Sequence, residues 1–264
     1  MNLQSKGIIA QVEQIGQGEQ LLLLHGWGPA SVSMAGHLRP LAARLQHRYE
    51  VTMVDFPGHG GSGQPGVHWG VKEYAEWTLG LMDQLGLERP TLVAHSFGGR
   101  VALWLAAHHP QRVQALVLTG CAGLRPRATL RGRLRAWMFK AARGALAVLG
   151  MFPALKARQA GWLASLRGQF ASADYLATPE ALRGSFSRVV REDLRPLLPR
   201  VTQPVLLVWG EQDQATPLWM GQVMAKELPD ARLLVYQDED HFAYLNQLAR
   251  FTNAVDIFLE EERA

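Results

Sequence analysis

The chain has 264 residues, 48% of them hydrophobic, a formal net charge of +4 and a single cysteine, Cys121. It can bury a sizeable core as one large domain or a domain carrying an insertion, and one cysteine excludes an intrachain disulfide and leaves Cys121 as a structural thiol. The segment up to Gln20 has one lysine and no long apolar run, and the later "LLLLHGWG" is far too short to cross a bilayer, so a soluble cytoplasmic protein is expected.

The first predicted strand, 20–24, runs into His25-Gly26-Trp27-Gly28, whose glycines permit an unusual loop. A helix over 36–46 leads to a strand over 49–54 and the turn-rich "VDFPGHGGS". A helix over 72–85 precedes a strand over 91–94, which ends in His95-Ser96-Phe97-Gly98-Gly99 and passes into a helix over 98–108 and a strand over 115–118. Further on, strands over 205–209 and 233–236 alternate with helices over 218–228 and 243–260. Apolar runs alternating with helical periodicity predict an α/β fold with a mostly parallel sheet. In such sheets, ligands gather at the carboxyl ends of the strands.

Residues 122–200 break this rhythm, with helical patterns and no convincing strand. The expected organisation is a core domain of 1–121 and 201–264 with a helical cap over 122–200 that covers the strand ends. The basic character is local to the cap: from Arg89 to Tyr175 the only acid is Asp174, while Arg125, Arg127, Arg131, Arg133, Arg135, Lys140, Arg143, Lys156, Arg158 and Arg167 all fall in it. Such a lid would favour substrates with a remote negative group. Within it Leu130, Leu134, Trp137, Met138 and Ala141 recur at helical spacing, a stripe that fits packing on the core better than contact with a membrane surface. No nucleic-acid-binding motif accompanies the charge.

Ala94-His95-Ser96-Phe97-Gly98 approximates G-x-S-x-G, in which small flanking residues let a strained strand-to-helix turn expose a serine nucleophile. A serine hydroxyl needs a base and an orienting carboxylate. His241 follows one strand and Asp213 another, in the chain order Ser96, Asp213, His241. Glu211, Asp238, Glu239 and Asp240 are also close enough in sequence to supply the carboxylate; Pro217, opening a helix just beyond, favours Asp213. His95 adjoins the serine but points to the opposite face of its strand, so a structural role is expected for it. The backbone N–H groups of Trp27 and Phe97 are the expected oxyanion donors. Trp27, Phe97, Cys121, Trp219 and Phe242 are the expected substrate-binding side chains. No metal is expected, because no clustered His/Cys ligand spacing occurs, and no other cofactor.

Together "LLLLHGWG", "VDFPGHGGS", "LVAHSFGGR", "LLVWGEQDQATP" and "DEDHFAYL" resemble the α/β-hydrolase superfamily through nearly the whole chain outside the insertion. The resemblance implies an eight-stranded, mostly parallel sheet, a helical cap after the sixth strand, and a Ser96/Asp213/His241 triad of carboxylesterase type acting through an acyl-enzyme on a small-molecule ester. Carbon–carbon bond hydrolases, perhydrolases and a lyase share that triad and stand as alternatives, as does a non-catalytic ligand-binding or membrane-surface protein on the same fold. Two departures stand out: Ala94 replaces the first glycine of the serine motif, and Asp240 precedes the histidine where glycine is frequent.

Overall fold

The computed structural model describes residues 3–28, 37–125, 130–149, 161–162 and 173–263. Strands β3 (Val12–Ile15), β4 (Glu19–Leu24), β5 (Tyr49–Val54), β6 (Thr91–His95), β7 (Leu116–Thr119), β8 (Val205–Gly210) and β9 (Ala231–Tyr236) form one sheet in the order β3-β5-β4-β6-β7-β8-β9. Only β3 runs antiparallel to its neighbour. The expected eighth strand is not part of it. β1 (Leu3–Ser5) and β2 (Ile8–Ala10) pair with each other in a separate two-stranded sheet, folded back through Lys6 and Gly7, both at positive φ.

The sequences of the central strands β4, β6, β7 and β8 are near-continuous apolar runs because both their faces are covered. Leu22, Leu24, Leu92, Ala94, Leu116, Leu118, Leu207 and Trp209 enter one core with α2 (Val71–Gln84) and α3 (Phe97–His108). Their alternates Leu21, Leu23, Val51, Val93, Val117, Leu206 and Val208 enter a second core with α1 (Arg39–Leu45) and α9 (Leu248–Glu261). The single helix expected over 243–260 is two, α8 (Ala243–Asn246) and α9, broken at Gln247. Glu239 grips the break, accepting from Asn246 Nδ2 at 2.9 Å and Gln247 Nε2 at 2.6 Å.

The chain divides into two compact units, residues 1–124 with 180–264, and residues 125–179. The second is shorter than the expected 122–200 because α6 (Glu180–Arg191) and the 3-10 turn Arg195–Arg200 belong to the first. There Ser185 Oγ accepts from Trp69 N–H at 2.9 Å, Glu192 Oε1 from Val71 N–H at 3.1 Å, and Gly123 C=O from Leu194 N–H at 2.8 Å. The described part of the second unit holds α4 (Leu130–Leu149) and α5 (Ala173–Ala177). Arg127, Lys156, Arg158 and Arg167 of the basic run lie outside the described residues, and the side chains of Leu130, Arg131, Arg133 and Arg135 are not among those described. Among the described residues no helix is long and apolar enough to cross a membrane.

The sheet order places the site. From β4 the chain steps outward to β5, then returns to β6 on the other side of β4, so a topological switch lies between β4 and β6. Leu24 registers with Ala94 across that pair, so the loops after β4 and β6 leave the sheet at one level. The turns after β7, β8 and β9 follow along the same edge.

Candidate active site

Ser96 lies between β6 and α3 with φ 51° and ψ −107°, a conformation that costs a non-glycine residue about 1–3 kcal/mol. Three backbone hydrogen bonds of 3.1 Å hold it there: Ser96 N–H donates to Thr119 C=O, and Ser96 C=O accepts from Gly99 N–H and Ala122 N–H. At a net ~0.5–1.5 kcal/mol each, they suffice to offset the strain. The glycines permit the turn to pack. A Cβ on Gly98 would lie 2.3 Å from Leu24 C=O, and one on Gly99 would lie 2.4 Å from Cys121 Sγ. Phe97 N–H stands in the first turn of α3, where N–H groups have no intrahelical acceptor and the helix dipole favours negative charge.

The loop after β4 comes up against this turn. A Cβ on Gly26 would sit 2.8 Å from His95 Nδ1 and 3.3 Å from Ser96 Cβ. His25 locks the loop: its Nε2 accepts from Phe56 N–H at 2.9 Å, so Nδ1 carries the proton and donates to Gly26 C=O at 2.7 Å. Burial lowers its pKa, and with both nitrogens engaged it is a neutral strut. The loop after β5 is a structural turn in which Asp55 Oδ2 accepts from Gly61 N–H at 2.9 Å and Ser62 Oγ donates to Asp55 C=O at 2.6 Å.

Asp213 and His241 arrive from the next strands. Gln212 N–H donates to Glu239 C=O at 2.8 Å and Glu211 N–H to Tyr236 C=O at 3.0 Å, which ties the loops after β8 and β9 together. His241 Nδ1 lies 2.8 Å from Asp213 Oδ2. The other face of the carboxylate is filled, with Oδ1 accepting from Ala215 N–H at 2.9 Å and Thr216 N–H at 2.8 Å. Burial alone would raise the Asp213 pKa; the hydrogen bond and charge of His241 and the donors of Thr216 outweigh it and hold the carboxyl below its ordinary value. With Nδ1 committed to Asp213, His241 Nε2 is the nitrogen left to accept a proton. No hydrogen bond among the described residues joins Ser96 Oγ to His241, a contact that tightens in many hydrolytic sites only when substrate binds.

A family model described as "alpha/beta hydrolase fold" matches residues 20–248. The chain belongs to that family. It is a hydrolase, and its similarities within the family are broad. It is 32% identical to a pimeloyl-[acyl-carrier protein] methyl ester esterase of Nitrosomonas europaea, over 93% of this chain and 97% of the other. It is 30% identical to a 2-hydroxymuconate semialdehyde hydrolase of Pseudomonas putida, over 94% of this chain and 90% of the other. Among solved structures, the enol-lactonase from Burkholderia xenovorans LB400 shares the fold with a TM-score of 0.72 at 24% identity, covering 97% of this chain and 98% of that one.

Within this hydrolase the remaining sequence expectations separate by burial. Phe242 is 37% exposed, with its ring 5.5 Å from that of His241. Trp219 is half-buried and packs against the first core. The Trp27 ring is wedged among His59, Phe97 and Phe186 at 4.9, 5.0 and 5.4 Å. Two expected substrate-binding side chains are buried instead. Phe97 packs between Phe56 and Tyr74, both at 5.0 Å, so its backbone alone faces the turn. Cys121 is fully buried under Gly99, its Sγ bonded to Ala122 C=O at 3.1 Å and its thiol pKa pushed up to about 12 by burial. Three rival carboxylates are engaged elsewhere: Asp240 Oδ1 accepts from Phe242 N–H at 2.8 Å, Asp238 Oδ1 from Gln212 Nε2 at 3.2 Å, and Glu239 from Asn246 and Gln247. Among the described residues no group of three His, Cys, Asp or Glu could hold a metal ion.

Sequence reasoning missed two supports, Gly120 and Thr216, and left the partner of the third, His95, open. Gly120, at φ 50°, leaves room for the pair, since a Cβ there would lie 3.0 Å from His241 Nδ1 and 3.2 Å from Asp213 Oδ2. Buried His95 donates from Nε2 to His241 C=O at 3.1 Å, and burial holds its pKa well below the ordinary value. Thr216 touches both Asp213 and His241. The only signal for Thr216 was its place three residues after the acid.

Proposed function

We propose that the protein is a serine hydrolase that cleaves a carboxylic ester through an acyl-enzyme, with Ser96 as nucleophile, His241 as base and Asp213 as its orienting carboxylate. The observation that carries this reading is the 2.8 Å contact of His241 Nδ1 with Asp213 Oδ2, on the same sheet edge as a serine in a strained strand-to-helix turn. His241 Nε2 takes the Ser96 Oγ proton as Oγ bonds to the ester carbon. The oxygen that becomes negative receives the N–H groups of Phe97 and Trp27, on neighbouring strand ends. Collapse breaks the bond to the alkoxy group, which leaves as the alcohol with the proton from His241. Water, deprotonated by His241, then releases the acid and restores Ser96 Oγ–H.

The methyl ester esterase likeness makes methyl esters of dicarboxylic acyl chains the first substrates to try. A fluorophosphonate probe should label Ser96, and Ser96→Ala should lose both the label and the turnover of p-nitrophenyl and methyl esters. A folded Ser96→Ala protein that keeps its esterase activity removes the assignment. A second reading, carbon–carbon bond hydrolysis, has the likeness to the 2-hydroxymuconate semialdehyde hydrolase in its favour. A dienoate ring-cleavage product turned over faster than every ester would replace the first reading with the second.

A further inference from the structure

A third side chain, Thr216, meets the Asp213–His241 pair. Thr216 is buried, and its Oγ1 lies 2.8 Å from Asp213 Oδ2, 2.9 Å from Gly120 C=O and 3.2 Å from His241 Nδ1. A hydroxyl has one hydrogen to give. The charged carboxylate, at the shortest of the three distances, is the stronger acceptor, because a hydrogen bond to an ionised partner is about twice as strong as one to a neutral carbonyl. The hydroxyl therefore points at the same oxygen that receives His241 Nδ1–H. Both oxygens of Asp213 are then held by donors from the 213–216 turn, Oδ1 by two backbone N–H groups and Oδ2 by the hydroxyl.

We infer that Thr216 is a positioning residue of this site, whose hydroxyl shares the charge of Asp213 Oδ2 with His241 and fixes the carboxylate against rotation, so that the acceptor of His241 Nδ1–H keeps one orientation. The inference rests on the proposed triad. The groups facing His241 leave Asp213 as the route for the effect. His95 meets its ring at 4.6 Å and bonds only its carbonyl, Asp240 is turned to Phe242 N–H, and His37 stacks on Phe242 at 5.5 Å. A carboxylate relieved of one donor is free to rotate, and its hydrogen bond to His241 Nδ1 rotates with it.

Thr216→Val isolates the hydroxyl. Val keeps the shape and both backbone bonds of the residue, from Thr216 N–H to Asp213 Oδ1 at 2.8 Å and from Trp209 Nε1 to Thr216 C=O at 2.6 Å. In ester hydrolysis kcat should fall by about tenfold with KM little changed, the size expected for one lost bond to a charged group. Thr216→Ser should restore kcat. Thr216→Ala serves if the Val protein does not fold. The low-field NMR resonance of the His241 Nδ1 proton, followed in a Ser96→Ala background, should shift without any turnover. An unmoved His241 Nδ1 proton resonance in folded Val and Ala proteins, or no rescue by Ser, overturns the inference. Activity surviving in Ser96→Ala strikes instead at the triad and leaves the NMR result readable.

Discussion

The turn that carries Ser96 and the loops that carry Asp213 and His241 are held by different means. At Ser96 three backbone hydrogen bonds act together with a steric constraint. The φ of Ser96 is positive, Gly98 and Gly99 follow two and three residues on, and a methyl group on either would fall within 2.4 Å of a packed atom. Around Asp213 and His241 the constraint is a network of side-chain and backbone hydrogen bonds, which includes His241 to Asp213, Thr216 to Asp213 and His95 to the His241 carbonyl. A steric constraint tolerates almost no change of shape, whereas a hydrogen-bonded one tolerates shape and fails with the loss of a donor. One half of the site should therefore break through added atoms and the other through removed protons.

The largest loss should come from the proposed nucleophile. Ser96→Ala should reduce kcat by about 10⁴-fold or more, measured with a p-nitrophenyl ester. In the hydrogen-bonded half, Asp213→Asn should cost about 10³–10⁴ in kcat with the fold intact, because the amide favours the wrong imidazole tautomer. Asp240→Asn keeps the oxygen that accepts from Phe242 N–H and should stay within a few-fold of the parent. If Asp240→Asn is the damaging change, Asp213 is not the working carboxylate. In the steric half, Gly98→Ala should destabilise the protein by roughly 1–3 kcal/mol in urea unfolding, since its Cβ meets the Leu24 carbonyl rather than a movable side chain. A Gly98→Ala protein as stable and active as the parent would show that the turn has slack.

The smallest effect concerns acid stability. Burial lowers the His59 pKa to about 3, against about 6.5 for the unfolded chain. Between those values the unfolded chain binds a proton that the folded one refuses, so the His59 contribution is complete above pH ~6.5 and is lost as pH falls toward 3. The urea midpoint of His59→Gln should depend less on pH across that window than that of the parent. Equal slopes would mean that His59 charges in the folded state too.

Legibility in the sequence followed the same division. Predicted strand 49–54 coincides with β5, and those at 91–94 and 205–209 each stop one residue short of β6 and β8, because apolar runs covered on both faces announce themselves. β1 to β3 were not legible: they are short, β3 reads Val12-Glu13-Gln14-Ile15 with every residue half-buried, and its strand state comes from pairing with β5. The glycines after Ser96 were legible as a tight turn since Gly has few other reasons to be doubled there. The choice of Asp213 over four nearby acids was open in the sequence, and Thr216 was invisible, because a threonine beside an acid is unremarkable until a histidine from another strand arrives between them.

The sequence by itself determined the alternation of buried strands and helices, the strained serine turn and the order of the polar groups, since each depends on residues adjacent in the chain. Only the tertiary structure decided which carboxylate meets His241, that the first two strands form their own sheet, that the chain rejoins the first unit by Glu180, and that Phe97 and Cys121 face inward. Those outcomes depend on which strand ends become neighbours, and parallel strands are joined by long connections that leave no local trace of their partners.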